Sequence, residues 1–334
     1  MTSTTSVGRV RGAAAGVAVA ATLPYLSLKL LWLTGHSVGA GDSDQLDDLW
    51  LVNLLSFGMD AIAVLLALAF VRPWGRRAPA GLLAFPMWVA TGLLGTILVA
   101  LPLFLLSPLV LGPEDTSGAE DGAGGGPAGW VFPVVYGGFA VQGVALITAF
   151  LLYARQRWAG LLRDRIGGLP DSPTLTVQRA FACVAALLGL GVAVARVYWA
   201  AGGTAGLPAE WADERGRGVA VMDCVTAMMA VAAAAALPLL VFRARPRWRL
   251  RVPLAVAWTA GGSLFAWGSW QLVAYGTFTT VTDLRRAVPG LLTLVESVQV
   301  VTGLLVLAVG AVALVERAAA GSVGAGAADV ESTG

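Results

Sequence analysis

Eight stretches of this chain are apolar over a length that can cross a bilayer, and nothing else in it narrows the possible folds as far. They cover about 12–35, 50–71, 80–107, 130–154, 179–201, 218–242, 252–276 and 289–315. A bilayer core needs ~20 apolar residues per helix. Hydrocarbon offers no water to exposed N–H and C=O groups, so runs of this length must close their hydrogen bonds internally as helices. A large soluble core is excluded by composition. Hydrophobic residues make up 57% of the chain and charged residues 13%, whereas soluble domains carry about 25% charged residues. The same figures exclude a secreted disulfide scaffold and a disordered chain. The expected fold is an all-α polytopic membrane protein. Its first segment follows Arg9 and Arg11 as a signal peptide would, but it runs too long for such a signal and reads as a retained span.

Arginine placement orients the spans. Short cytoplasmic loops carry an excess of Lys and Arg. Arg9, Arg11, Arg72, Arg76, Arg77, Arg155, Arg157, Arg163, Arg165, Arg179, Arg243, Arg245, Arg247, Arg249, Arg251 and Arg317 all fall on one side. Arg215, Arg217, Arg285 and Arg286 fall on the other. The acids reverse the bias, with Asp42, Asp44, Asp47 and Asp48 in the first outer loop and Glu114, Asp115, Glu120 and Asp121 in the second. Both termini are therefore expected in the cytoplasm. One lysine against 21 arginines points to a high-GC bacterial genome, and so to a bacterial plasma membrane. The Gly-rich loop at 108–129 reads as mobile. Residues 159–178 read as a linker with an interfacial stretch, and 318–334 as a disordered tail.

The remaining inventory excludes much chemistry. A net charge of +2 carries no nucleic-acid signal. The single histidine, His36, and two cysteines, Cys183 and Cys224, are too few for zinc clusters, iron–sulfur clusters or bis-histidine haem. No disulfide is expected, because the cysteines differ in depth by roughly 15–20 Å. No P-loop, HExxH or GxSxG motif is present. Neither a cofactor nor a metal is implied.

The chain has an internal echo. Residues 29–39 and 196–206 both fit [KR]-x-x-W-x-x-G-x-[ST]-x-G, at an offset of 167. Met59-Asp60 recurs as Met222-Asp223, and Trp88 with Gly92 as Trp258 with Gly262. The matches keep their order, in the first, second and third spans of each half. The reading is two four-helix repeats, 1–158 and 179–317. An even number of spans per half makes the repeats parallel, related by an axis along the membrane normal. The polar groups of the two halves are then expected to face a shared interface. The stretch Val197-Tyr198-Trp199-Ala200-Ala201-Gly202-Gly203 resembles the "YWAxGG" signature of actinobacterial multi-pass membrane proteins of unknown function. In the first half Leu31 replaces the Tyr and His36 the second Gly. The resemblance implies architecture and no activity.

Five ionisable residues lie within the spans: Lys29, Asp60, Arg196, Asp223 and Glu296. Each costs ~2.5–3.5 kcal/mol at a helix centre and needs a partner or a wet cavity. Side chains lean toward their own helix N-terminus, so Lys29 and Asp60 converge on antiparallel helices. Arg196 and Asp223 start at nearly the same depth. Two ion pairs are expected, either as packing devices or as a substrate or proton site. Glu296 has no basic residue in its own span and, with Gln299 and Thr302, forms a polar face at helical spacing. Asn53, Ser56 and Asp60 form a second stripe, and Tyr25, Lys29, Trp32 and His36 a third. An outward-facing polar cavity accounts for all three stripes, and interhelical hydrogen bonding is the plainer account. His36 and Trp32 mark the outer interface.

The ligand-binding or ion-pair candidates are therefore Lys29, Asp60, Arg196, Asp223, Glu296, Gln299 and Asn53. The leading expectation is small-molecule or proton-linked transport, or ligand binding at outer-leaflet depth. The expected partners are the lipid bilayer and a small molecule. A membrane-embedded enzyme acting on a lipid or isoprenoid, and a non-catalytic scaffold, are the alternatives.

Overall fold

The computed structural model describes residues 2–40, 50–112, 129–168, 172–213, 215–281 and 288–332. The acidic runs at 42–48 and 114–121, and Arg285 and Arg286, lie outside the described residues. Eight long helices account for most of the rest: α1 (Thr2–Leu33), α2 (Trp50–Val71), α3 (Ala80–Leu111), α4 (Val131–Arg157), α5 (Leu175–Ala200), α6 (Arg217–Val241), α7 (Arg251–Val281) and α8 (Gly290–Ser332). Residues 318–332, which composition reads as a tail, continue α8.

Seven of these helices are long and apolar enough to cross a membrane. The eight expected spans and these seven differ at α7. That helix is 31 residues long and has no Asp, Glu, Lys or Arg after Arg251, but Gly, Ser, Thr and Trp dilute its hydropathy. Its position explains the composition. α7 packs against α3, α6 and α8 at once, so much of it meets helix rather than lipid, where small residues allow close approach.

Each half has the same pattern of neighbours. α1 packs on α2 and α4, and α3 packs on both of these. α5 packs on α6 and α8, and α7 packs on both of these. The halves meet chiefly where α3 crosses α7. Glycine backbones touch there: a Cβ on Gly92 would stand 2.1 Å from the carbonyl carbon of Gly262. A Cβ on Gly262 would stand 2.5 Å from the carbonyl oxygen of Trp88. The hydroxyls of Thr96 and Ser263 share a hydrogen bond of 2.6 Å across the same seam. Trp88, 1% exposed, stacks on Phe265. Trp258 stacks on Phe150.

The arginine-rich segments gather at one end. Arg157 of α4 donates to the carbonyls of Gly75 and Ala78 in the α2–α3 turn, and Arg11 donates to Gln156. The linker between the halves is tied to the α6–α7 loop by Ile166 N–H to Trp248 O and Leu250 N–H to Asp164 O. Arg317 of α8 pairs with Asp164. Glu316 accepts from Ser172, Thr174 and Gln178.

Candidate functional site

At the opposite end, the repeated tryptophan–glycine motif builds the same cap twice. Gly35 and Gly202 take the left-handed conformation, φ 83° and 89°, and Gly39 and Gly206 do so again at 68° and 75°. A glycine there ends a helix without the strain an L side chain would carry. The N–H of His36 reaches back to Leu31 O at 2.8 Å, and that of Gly203 to Tyr198 O at 2.9 Å. The indole N–H of Trp32 donates to Val38 O, and that of Trp199 to Ala205 O. Gly39 lies against Trp130 and Val131 at the start of α4, and Gly206 against Leu291 at the start of α8. The motif is a helix terminator that seats the first helix of each half on its fourth. His36 is exposed, beside the Thr34 hydroxyl.

One turn before each tryptophan sits the cation. Lys29 Nζ meets Asp60 Oδ2 at 2.9 Å, with side chains 1% and 9% exposed. The ammonium also stands 3.8 Å from the centroid of the Tyr25 ring, a favourable cation–π contact. Phe139 holds that ring edge-on at 4.9 Å. The first half thus contains a closed one-to-one pair under an aromatic cover. Swapping the two charges together, as Lys29→Asp with Asp60→Lys, is expected to retain more folded protein than either single change. Size-exclusion yield in detergent checks this, and a double variant no better than the singles refutes the coupling.

The second half carries a larger cluster. Arg196 Nη1 donates to Asp223 Oδ1 at 2.9 Å and Nη2 to Glu296 Oε1 at 2.5 Å. Nη2 also reaches Gln299 Oε1 at 3.2 Å. Asp223 gives its other oxygen to Arg215, from the segment before α6. Both guanidinium groups flank the Trp199 ring, at 5.8 and 5.7 Å. Glu296 is fully buried, and among the described residues its Oε2 has no hydrogen-bond partner, nor has Arg196 Nε. The arrangement can hold two positive and two negative charges in balance, and it can accept a proton at a carboxylate.

Of the residues singled out from sequence, the structure brings Lys29 to Asp60, and it brings Arg196, Asp223, Glu296 and Gln299 together. Asn53 is half-buried two turns from Asp60, with Ser56 donating to its carbonyl, and it joins neither cluster among the described residues. Two expectations are revised. The polar groups lie inside each half rather than at the seam between halves, because glycines and small hydroxyls occupy the α3–α7 crossing. The polar stripe on α8 is packed: Glu296, Gln299 and Thr302 are 0%, 1% and 0% exposed. Instead, a cavity of about 60 Å³ lies at the arginine-rich end of α5–α8, rimmed by Gln178, Arg243 and Glu316.

Sequence reasoning missed Arg215, which it counted only as an outer-loop charge. Charge arithmetic signals it, since Arg196 alone cannot neutralise both Asp223 and Glu296. Among the described residues no group of three or more His, Cys, Asp or Glu side chains is placed to hold a metal. The helical architecture and its apolar lengths define an integral membrane protein of the all-α class. Comparison with family models, curated proteins and solved structures finds no match to this chain.

Proposed function

We propose that this protein crosses a bacterial plasma membrane eight times, as two parallel four-helix repeats with both termini and the arginine-rich end in the cytoplasm. In this reading its second repeat carries a polar site for proton-linked transport or binding of a small molecule at outer-leaflet depth. The repeated caps and the common pattern of neighbours support the duplication. The arginine asymmetry supports the orientation.

Glu296 is the observation that carries the functional reading. A pair that only fixes packing needs one cation and one anion, as Lys29 and Asp60 supply. By register from the caps, the first half has Tyr136 and Phe139 where the second has Glu296 and Gln299. The second half therefore keeps an extra buried carboxylate with an unpartnered oxygen, and an extra arginine reaching in from the loop. Intramembrane carboxylates of this kind mark substrate and proton pathways.

The test is outside accessibility. With Cys183 and Cys224 replaced by serine, Glu296→Cys is treated in intact cells with a membrane-impermeant thiol reagent. Labelling is expected, and Arg215→Ala is expected to raise its rate. A folded protein that stays unlabelled in both backgrounds is packed shut at this position, and the ligand-site reading fails.

A further inference from the structure

We infer that the α5–α8 cluster binds a small monocarboxylate together with one proton, Glu296 taking the proton and Arg196 holding the carboxylate. This rests on the reading of the cluster as a ligand site given above.

The first argument is charge. Arg196 and Arg215 face Asp223 and Glu296, so the cluster is neutral with both carboxylates ionised. It is also buried, with Arg196 8%, Asp223 2% and Glu296 0% exposed. A buried net charge is strongly disfavoured unless it is paired. Protonating Glu296 leaves one positive charge uncancelled, and a monovalent anion restores neutrality. Proton and anion therefore favour each other's binding, one for one.

The second argument is the pair of atoms left over. The Nε–Nη2 edge of an arginine grips a carboxylate with two parallel bonds. Here that edge carries one: Nη2 bonds Glu296 Oε1, while Arg196 Nε and Glu296 Oε2 are both buried without a partner among the described residues. Such orphans in a buried polar network call for an unseen partner. One proton and one carboxylate satisfy both. The protonated Oε2 donates to the incoming carboxylate, and Nε donates to it as well. No bond is made or broken beyond the transfer of that proton from water to Glu296.

The groups facing Glu296 agree with this assignment. α5 presents Arg196, α6 presents Asp223, and the segment before α6 presents Arg215 through Asp223. α7 places Tyr275 within electrostatic reach of Glu296, and α8 itself adds Gln299. Trp199, 3% exposed, braces both arginines. Entry requires Arg215 to swing away, and its side chain is 16% exposed while its partner's is 2%.

The experiment uses the full chain in detergent, with sodium lactate as probe and sodium chloride at equal ionic strength as control. Thermal unfolding is followed in acid and in mildly alkaline buffer, since a ligand that binds the folded state raises its unfolding temperature. Wild type is expected to be stabilised by lactate in acid. Its apparent Kd should rise by about tenfold per pH unit once Glu296 is ionised, as one-to-one coupling demands. Glu296→Gln fixes the neutral form and is expected to respond to lactate equally at both pH values. Arg196→Gln is expected to lose the lactate response. If pH-dependent stability is lost in Glu296→Gln but lactate and chloride act alike in wild type, the carboxylate inference falls and the proton-responsive site stands. If wild type and Glu296→Gln respond identically to both pH and lactate, both readings fall. Should Glu296→Gln fail to accumulate, the wild-type comparison of acid with alkaline buffer decides alone.

Discussion

Replacing Arg196 with methionine is expected to cost about 3–5 kcal/mol of stability, because it leaves two buried carboxylates facing each other with their shared counter-charge gone. Arg215 cannot compensate. It pairs with Asp223 from the loop, so Glu296 is the carboxylate left without the cation it pairs with. Neutralising Glu296 as well reverses most of the loss. Arg196→Met combined with Glu296→Gln leaves Asp223 paired with Arg215 and no buried carboxylate without a cation, and replacing a buried ion pair by neutral residues of similar size is often nearly neutral. The measurement is the unfolding midpoint in detergent at neutral pH. A single variant within about 1 kcal/mol of wild type would place the cluster in water and outside the class of buried networks.

At the seam between the halves, Gly92→Leu is expected to cost ~3 kcal/mol or more, at or above the upper end of overpacking penalties. The new Cβ would meet the Gly262 backbone rather than a flexible side chain, so α3 and α7 must part. The Thr96–Ser263 hydrogen bond reports that separation. With the native cysteines removed, the pair Thr96→Cys and Ser263→Cys is expected to crosslink when Gly92 is kept and to fail to crosslink when Gly92→Leu is added. Gly81→Leu is the control, since a Cβ there meets nothing within 4 Å. Unchanged crosslinking in Gly92→Leu would refute the close glycine crossing.

The two clusters show how far the chain announces itself. Lys29 and Asp60, and Arg196 and Asp223, are legible as pairs because consecutive antiparallel helices must lie side by side and side chains lean in known directions. Glu296 is legible as an oddity and not as a partner. Its cation lies 100 residues away on a helix that is not its neighbour in sequence. The tryptophan–glycine motif is legible as a repeat. Its purpose as a cap emerges only with the positive φ angles and the two indole hydrogen bonds.

The order of residues suffices for the set of helices, the concentration of arginine outside the spans and the buried charges that need partners. Those follow from local physics: hydrocarbon demands internal hydrogen bonding over ~20 apolar residues and penalises every lone charge. Three-dimensional packing was needed to show which helix faces meet, that the polar clusters lie within the halves, and that Arg215 returns from its loop to Asp223. In lipid, apolar surface has no preference between a neighbouring helix and a hydrocarbon tail. The pairing of distant helices therefore depends on where glycine backbones such as Gly92 and Gly262 can touch and where a buried charge finds its counterpart, and neither is written in the order of residues along one helix.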